Sequence, residues 1–239
     1  MKQLLKALIR YWPWPLTINE RYDRQTTAII RKVCRHDSIC IDVGCYKGDI
    51  LAHMISSAPD ARHIAFEPIP EQYEFLKNKF GAYADIYPYA LGNENMETTF
   101  QNVKSNPTYS GLKQRQYIRK ENIVEINVHV KKLDDVIQPD TSIQLIKIDV
   151  EGGEYDVVQG ARRTIIKWRP YLIFEHGLGG ADKYEVTPGD VYSFLVDELD
   201  YKICLMSGFL KDPNVPGFSR EEFESQFSNK LNCYFLGIG

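Results

Sequence analysis

No apolar run in this chain approaches the roughly 18 residues that a membrane-spanning helix needs, so no transmembrane span is expected. Cysteine is sparse and scattered: Cys34, Cys40, Cys45, Cys204 and Cys233 form an odd set of five with no C-x-x-C pair. That pattern excludes a cysteine zinc cluster or a disulfide framework, and it points to a reducing cytoplasm. An excess of one charge sign is also missing. With a formal net charge of -3 there is no basic footprint, and nucleic acid is not expected as a partner. The first residues do not read as a secretory signal, because Lys6 and Arg10 interrupt the apolar stretch and no small-residue cleavage site follows. No internal repeat or low-complexity tract is present. What remains is an ordinary globular composition, 44% apolar over 239 residues, sized for one domain with a small extension.

The extension is residues 1–36. Residues 1–12 put Leu4, Leu5, Leu8, Ile9 and Trp12 on one helical face and Lys2, Lys6 and Arg10 on another, and Pro13 and Pro15 stop the helix. Basic residues with tryptophans mark helices that lie on a membrane surface, which would bring residues 1–14 to a bilayer. The plainer reading is a helix packed on its own domain or on a second subunit of a homo-oligomer. A second helix is expected over about 22–34, with Tyr22, Thr26, Ile29, Ile30 and Val33 inward.

From residue 37 onward the chain alternates. Ile39, Ile41 and Val43 lead into Asp42-Val43-Gly44-Cys45-Tyr46-Lys47-Gly48, after which Ile50, Leu51, Met54, Ile55 and Ala58 recur at helical spacing. A strand therefore ends in a tight turn from which a helix starts. Gly44 and Gly48 allow close backbone approach to a ligand, and Asp42 can accept from an ammonium or hydroxyl. A turn of this kind either binds a nucleoside cofactor or simply closes a βα unit. His63-Ile64-Ala65-Phe66 reads as the next strand and ends in Glu67, placed to accept from ribose hydroxyls. The following helix starts at Pro70 and stops at Gly81. A third strand is expected over 85–90, with Pro88 marking a bulge or a strand end, and Leu91-Gly92 falls where a nucleoside base could rest.

Residues 93–132 break the rhythm. Segments 98–100 and 125–130 look like an antiparallel pair. Between them lies a loop carrying Lys104, Lys113, Arg115, Arg119 and Lys120, which is either a substrate-side lid suited to an anionic substrate or a solvated basic loop. The strand over 143–150 then runs into Asp149-Val150-Glu151-Gly152-Gly153-Glu154, followed by one helix carrying Val157, Val158, Ala161, Ile165 and Trp168. Strand 171–174 ends at Glu175-His176. Thr187-Pro188-Gly189-Asp190 has the form of a capping box. Segments 202–206 and 231–236 read as a closing, hairpin-like antiparallel pair. The alternation predicts an α/β fold with a mostly parallel sheet covered on both faces.

Parallel strands carry their chemistry at their carboxyl ends, so Asp42, Asp149, Glu151, Glu175 and His176 should converge. Burying such acids without partners is costly, which suggests a cation, a metal or proton transfer. Asp149 and Glu151 could instead cap the next helix, and His176 could bond a carbonyl. Asp134 and Asp135 read as caps.

Four segments resemble the FkbM-type S-adenosylmethionine-dependent methyltransferases: Ile41-Asp42-Val43-Gly44 with Gly48; Phe66-Glu67-Pro68; Ala90-Leu91-Gly92; and Leu145 through Glu154, continued by Gly160-Ala161 and Arg169 to Glu175. Leu133-Asp134-Asp135 is similar to the family's leucine-aspartate element. The resemblance implies a Rossmann-like class I methyltransferase fold, with a mostly parallel seven-stranded sheet, helices on both faces and an antiparallel insertion at 93–132 within a domain of residues 37–239. It implies S-adenosylmethionine as cofactor, with Asp42, Gly44, Tyr46 and Gly48 along its methionine part, Glu67 on its ribose, Leu91 and Asp149 completing the set, and methyl transfer commonly to a hydroxyl oxygen. Cys45-Tyr46 departs from the Ala-Asn that many members carry. A hydroxyl needs a base or a metal to withdraw its proton, and Asp149, Glu151, Glu175 and His176 are the candidates. Asp149, Glu175 and His176 could also hold a divalent metal. The acceptor expected is a small molecule or a glycan. The alternatives are a nicotinamide-dependent oxidoreductase, disfavoured because the G-x-G-x-x-G fingerprint is absent, and a non-catalytic cofactor-binding module of the same fold.

Overall fold

The computed structural model describes residues 15, 17–115, 117 and 119–239; the helix expected over 1–12, and with it the membrane-surface reading of 1–14, lies outside them. The first described helix, α1 (Ile18–Val33), is capped by the Thr17 hydroxyl, which accepts from the Glu20 N–H at 3.1 Å. Tyr22, Thr26, Ile29 and Ile30 recur every three or four residues and are buried, so α1 presents one stripe to the core. That stripe packs with Cys40, Leu145, Ile173 and Leu236 of the sheet.

Alternation then proceeds as expected through β1 (Ile39–Val43), α2 (Asp49–Ser57), β2 (His63–Phe66), α3 (Pro70–Phe80) and β3 (Ala84–Tyr87). At Pro88 the chain leaves the sheet. The expected single strand over 85–90 is two, β3 and β4 (Tyr89–Leu91), and they belong to different sheets. Proline has no N–H for a ladder, so it is a natural place for the switch. The insertion forms a three-stranded sheet of β4, β5 (Met96–Val103) and β6 (Ile123–Lys131), in which β5 and β6 are antiparallel and β4 and β6 parallel.

After the short α4 (Leu133–Val136), β7 (Ile143–Ile148) returns to the main sheet. The helix expected over 157–168 is divided at Ala161 into α5 (Glu154–Gly160) and α6 (Arg162–Trp168). Asp134 does cap, but across the sequence: its carboxylate accepts from the N–H groups of Arg163 at 2.7 Å and Thr164 at 2.9 Å, satisfying the start of α6. β8 (Tyr171–Glu175) is followed by α7 (Pro188–Tyr192) with the expected Thr187–Asp190 capping box. The last strands, β9 (Lys202–Cys204) and β10 (Tyr234–Ile238), are antiparallel but not a hairpin: α8 (Met206–Lys211) and α9 (Arg220–Ser228) lie between them, and β10 inserts between β8 and β9.

The main sheet thus has seven strands in the order β3-β2-β1-β7-β8-β10-β9, with β10 alone running against the rest. Ile41, Val43, Ile146, Ile148 and Phe174 fill one face. Successive strand residues point to opposite faces, so Asp42, Lys147 and Glu175 emerge on the other, the α1 side. Among the described residues no helix is long and apolar enough to cross a membrane.

Candidate active site

One cleft of about 1090 Å³ opens at the carboxyl ends of β1, β2, β4, β7 and β8, and Asp42, Gly44, Tyr46, Glu67, Leu91, Asp149, Glu151 and Glu175 all line it. Residues of α1, among them Tyr22 and Asp23, close one side, and Tyr109 and Arg115 of the insertion form another wall.

The glycine turn is held from two directions. Gly44 has φ +77°, and a Cβ there would overlap the Asp149 carbonyl oxygen; the loops after β1 and β7 therefore meet back to back, as only glycine permits. Tyr46 also takes a positive φ of 48°. Its N–H donates to Glu67 Oε2 at 2.8 Å, while the Ile69 N–H donates to Oε1 at 3.0 Å. Burial pushes the Glu67 carboxyl up to about 7, against these two N–H groups, which pull it down. Gly48 does not line the cleft. It opens α2, and a Cβ there would overlap the Phe80 ring, so its part is to shape the turn rather than to touch a ligand.

A second tight turn follows β7. Glu151 has φ +63° and Gly152 φ +116°. The turn is tied by Glu154, whose Oε1 accepts from the N–H groups of Val150 at 2.9 Å and Gly152 at 3.1 Å. Burial pushes Glu154 up to about 7. One oxygen each of Asp149, Glu151 and Glu175 lies within 4.8 Å of the others. Glu175 is pushed up to about 8, first by burial and then by the charges of Asp149 and Glu154.

Cations already meet two of these acids. Arg115 forms an ion pair with Glu151, and its Nε donates to the Gly179 carbonyl at 2.7 Å. The insertion's charge is thus partly spent on the protein itself: Lys104 pairs with Glu71 at 2.6 Å, and Lys113 lies over the Tyr184 ring. Lys147, 7% exposed, lies 3.4 Å from both Asp42 Oδ1 and Asp149 Oδ2. Burial alone would lower its pKa, but the charges of Asp149 and Asp42 hold it above the ordinary lysine value. Tyr234 stacks on Tyr22 with ring centroids 4.9 Å apart, and its hydroxyl reaches Asp149.

His176 is not in this cluster. It follows Glu175 directly, so it points through the opposite face of the sheet, where Phe223 and Phe227 flank its ring. Burial lowers its pKa to about 4. The expectation that His176 joins Asp149 and Glu175 in catalysis or as a metal ligand is therefore corrected: the third member of the acid cluster is Glu151. Sequence reasoning gave no role to Lys147, Glu154 or Tyr234, and read Arg115 as one of the basic loop residues rather than as the partner of Glu151. Only the first two left a local signal, a lysine inside an apolar strand and an acid two residues beyond a glycine.

The buried acids set a pH dependence. Glu67, Glu154 and Glu175 have folded pKa values raised above the unfolded carboxyl range, so the folded state holds protons that the unfolded state releases. Stability then falls as pH rises through their folded values. The melting temperature of the ligand-free protein is expected to decline between about pH 5 and 8 in scanning calorimetry, from just above the unfolded carboxyl value to the folded values of about 7 and 8, and to level off above them. A flat or rising profile over that window would show that these carboxyls are ionised in the folded state.

The Methyltransferase FkbM domain profile matches residues 42–203. The 2-O-methyltransferase NoeI of Sinorhizobium fredii is 25% identical over 170 residues, 64% of this chain and 68% of NoeI. The AMB antimetabolite synthetase AmbE of Pseudomonas aeruginosa is 29% identical over 161 residues, 52% of this chain but 8% of that much longer protein. The crystal structure of Methyltransferase FkbM from Methylobacillus flagellatus KT is similar with a TM-score of 0.53 at 18% identity, covering 86% of this chain and 44% of that one.

Proposed function

Because this chain belongs to the methyltransferase FkbM family, we propose that it is an S-adenosylmethionine-dependent enzyme that methylates a hydroxyl oxygen on a sugar, a glycan or another natural product. The observation that carries the reading is the buried Asp42. It is 1% exposed, and neither of its oxygens accepts a regular hydrogen bond among the described residues. A buried carboxylate beside a glycine turn, with only the Lys147 ammonium at 3.4 Å and the weak Cys45 thiol donor against it, has lone pairs left that suit an ammonium donor such as the cofactor's amino-acid end. Gly44 and Tyr46 would line that end, Glu67 would take the ribose hydroxyls and Leu91 would border the base. The same family membership leaves no support for the nicotinamide alternative.

When bound, the cofactor supplies an activated methyl group on a sulfonium. The chain's part is to align an acceptor oxygen in line with it and to take the hydroxyl proton. Glu151 is engaged by Arg115 and Asp149 by Lys147. Glu175 is the acid in this cluster pushed up to about 8, which suits a general base, and Asp149 sits beside it to orient the acceptor. With cations already on two of the three clustered acids, no metal is assigned. The preference for O-methylation is in keeping with the 2-O-methyltransferase NoeI among the relatives.

The test is transfer of labelled methyl from S-adenosylmethionine to a panel of sugars, oligosaccharides and hydroxylated natural products. The label is expected in a methyl ether, with the rate rising as pH approaches 8. Glu175→Gln and Asp149→Asn are expected to reduce transfer by about 100-fold or more while S-adenosylhomocysteine still binds. Label in an N-methyl or C-methyl product, or full activity in Glu175→Gln, would contradict the assignment.

A further inference from the structure

Resting on the cofactor reading above, we propose that Lys147 is a positioning residue for the amino-acid end of the cofactor, acting through Asp42. Lys147 and Asp42 are register partners on the neighbouring parallel strands β7 and β1, so their side chains leave the same face of the sheet side by side. The Lys147 ammonium stands 3.4 Å from Asp42 Oδ1 and donates to the Gly44 carbonyl at 3.4 Å. It thereby ties the acid to the glycine turn that follows it.

The consequence is electrostatic. A buried carboxylate is costly unless a cation compensates its charge. Asp42 has the ammonium of Lys147 on one side and the Cys45 thiol, a weak donor, on the other. The ammonium compensates its charge without saturating its lone pairs, and Asp42 lines the cleft. An incoming ammonium would complete them with charge-assisted hydrogen bonds, which are stronger than those to a neutral carboxyl. Without Lys147 the buried carboxylate would lose the cation that compensates its charge and fixes its direction, and that gain would be lost chiefly for the amino-acid end. The adenosine end would bind toward Glu67, where burial and the two backbone N–H groups outweigh the Lys147 charge, so it would be affected far less.

Two probes separate these ends in calorimetric titrations of the full chain. S-adenosylhomocysteine carries the amino acid; 5′-methylthioadenosine keeps the adenosine and the thioether but lacks it. In Lys147→Met, S-adenosylhomocysteine affinity is expected to fall by about ten-fold or more, with 5′-methylthioadenosine affinity falling much less. Equal loss of both probes, or loss of neither, overturns the proposal. Should Lys147→Met fail to fold, the double variant Asp42→Asn/Lys147→Met, which removes both buried charges together, is compared with Asp42→Asn alone. It is expected to bind S-adenosylhomocysteine as weakly as Asp42→Asn and no more weakly; a further loss in the double variant, or parent-like binding in either, overturns the proposal. If the unaltered protein binds neither probe, the cofactor reading fails and this inference falls with it.

Discussion

Gly44→Ala is expected to lower stability by about 3 kcal/mol or more and to abolish S-adenosylhomocysteine binding. Two costs add. Gly44 sits at φ +77°, a conformation that costs an L-residue roughly 1–2 kcal/mol. The new methyl group would also overlap the carbonyl oxygen of Asp149, and overpacking of this kind costs roughly 1–3 kcal/mol. The overlap cannot be relieved by letting the loops part, because the Asp149 N–H donates to the Val43 carbonyl at 3.1 Å across the same junction. Any shift moves Asp149 and the glycine turn together. Urea denaturation followed by circular dichroism measures the first effect, and calorimetry the second. A parent-like midpoint with retained binding would mean that the two loops are not in the close contact described.

Glu67→Ala is the second substitution with a large expected effect. Its carboxylate clamps the N–H groups of Tyr46 and Ile69 and, on the proposed reading, accepts from the ribose hydroxyls. Hydrogen bonds to a charged acceptor contribute about 1.5–3 kcal/mol each, so S-adenosylhomocysteine affinity should fall by about 100-fold or more. The same loss is expected for 5′-methylthioadenosine, because the ribose is common to both ligands. This pattern is the opposite of that expected for Lys147→Met. Because Glu67 is pushed up to about 7 by burial, and the ionised form is the better acceptor, affinity in the unaltered protein should weaken as pH drops below 7. An unchanged affinity in Glu67→Ala would remove this residue from the ribose site.

Much of the site was legible in the sequence because its signals are local. A β-branched run ending in an acid and a glycine identifies β1 and its turn without knowledge of the sheet. The same holds for Phe66-Glu67 and for Ile148-Asp149. Period-two alternation, followed one step further, would also have set His176 apart. Glu175 shares a face with Ile173, and His176 shares one with Phe174, whose neighbours form the opposite core cluster. The alternation likewise puts Lys147 on the face of Asp149, between the inward Ile146 and Ile148. What could not be read was long-range pairing. Nothing near Arg115 states that its partner is Glu151, and nothing near Tyr234 states that β10 enters between β8 and β9. Strand order and ion pairs across loops are decided by tertiary packing, and that Lys104, Lys113 and Arg115 of the insertion are matched within the chain could not be known until their partners were placed.

The central claim is that the cleft beside Asp42 and Glu67 is an S-adenosylmethionine site. Calorimetric titration of the ligand-free protein with S-adenosylhomocysteine, with and without Mg²⁺ or Mn²⁺, tests it most directly. Saturable binding with one site per chain, independent of added metal, is the predicted result. Absence of binding by a folded protein, or preference for a nicotinamide dinucleotide, would contradict it.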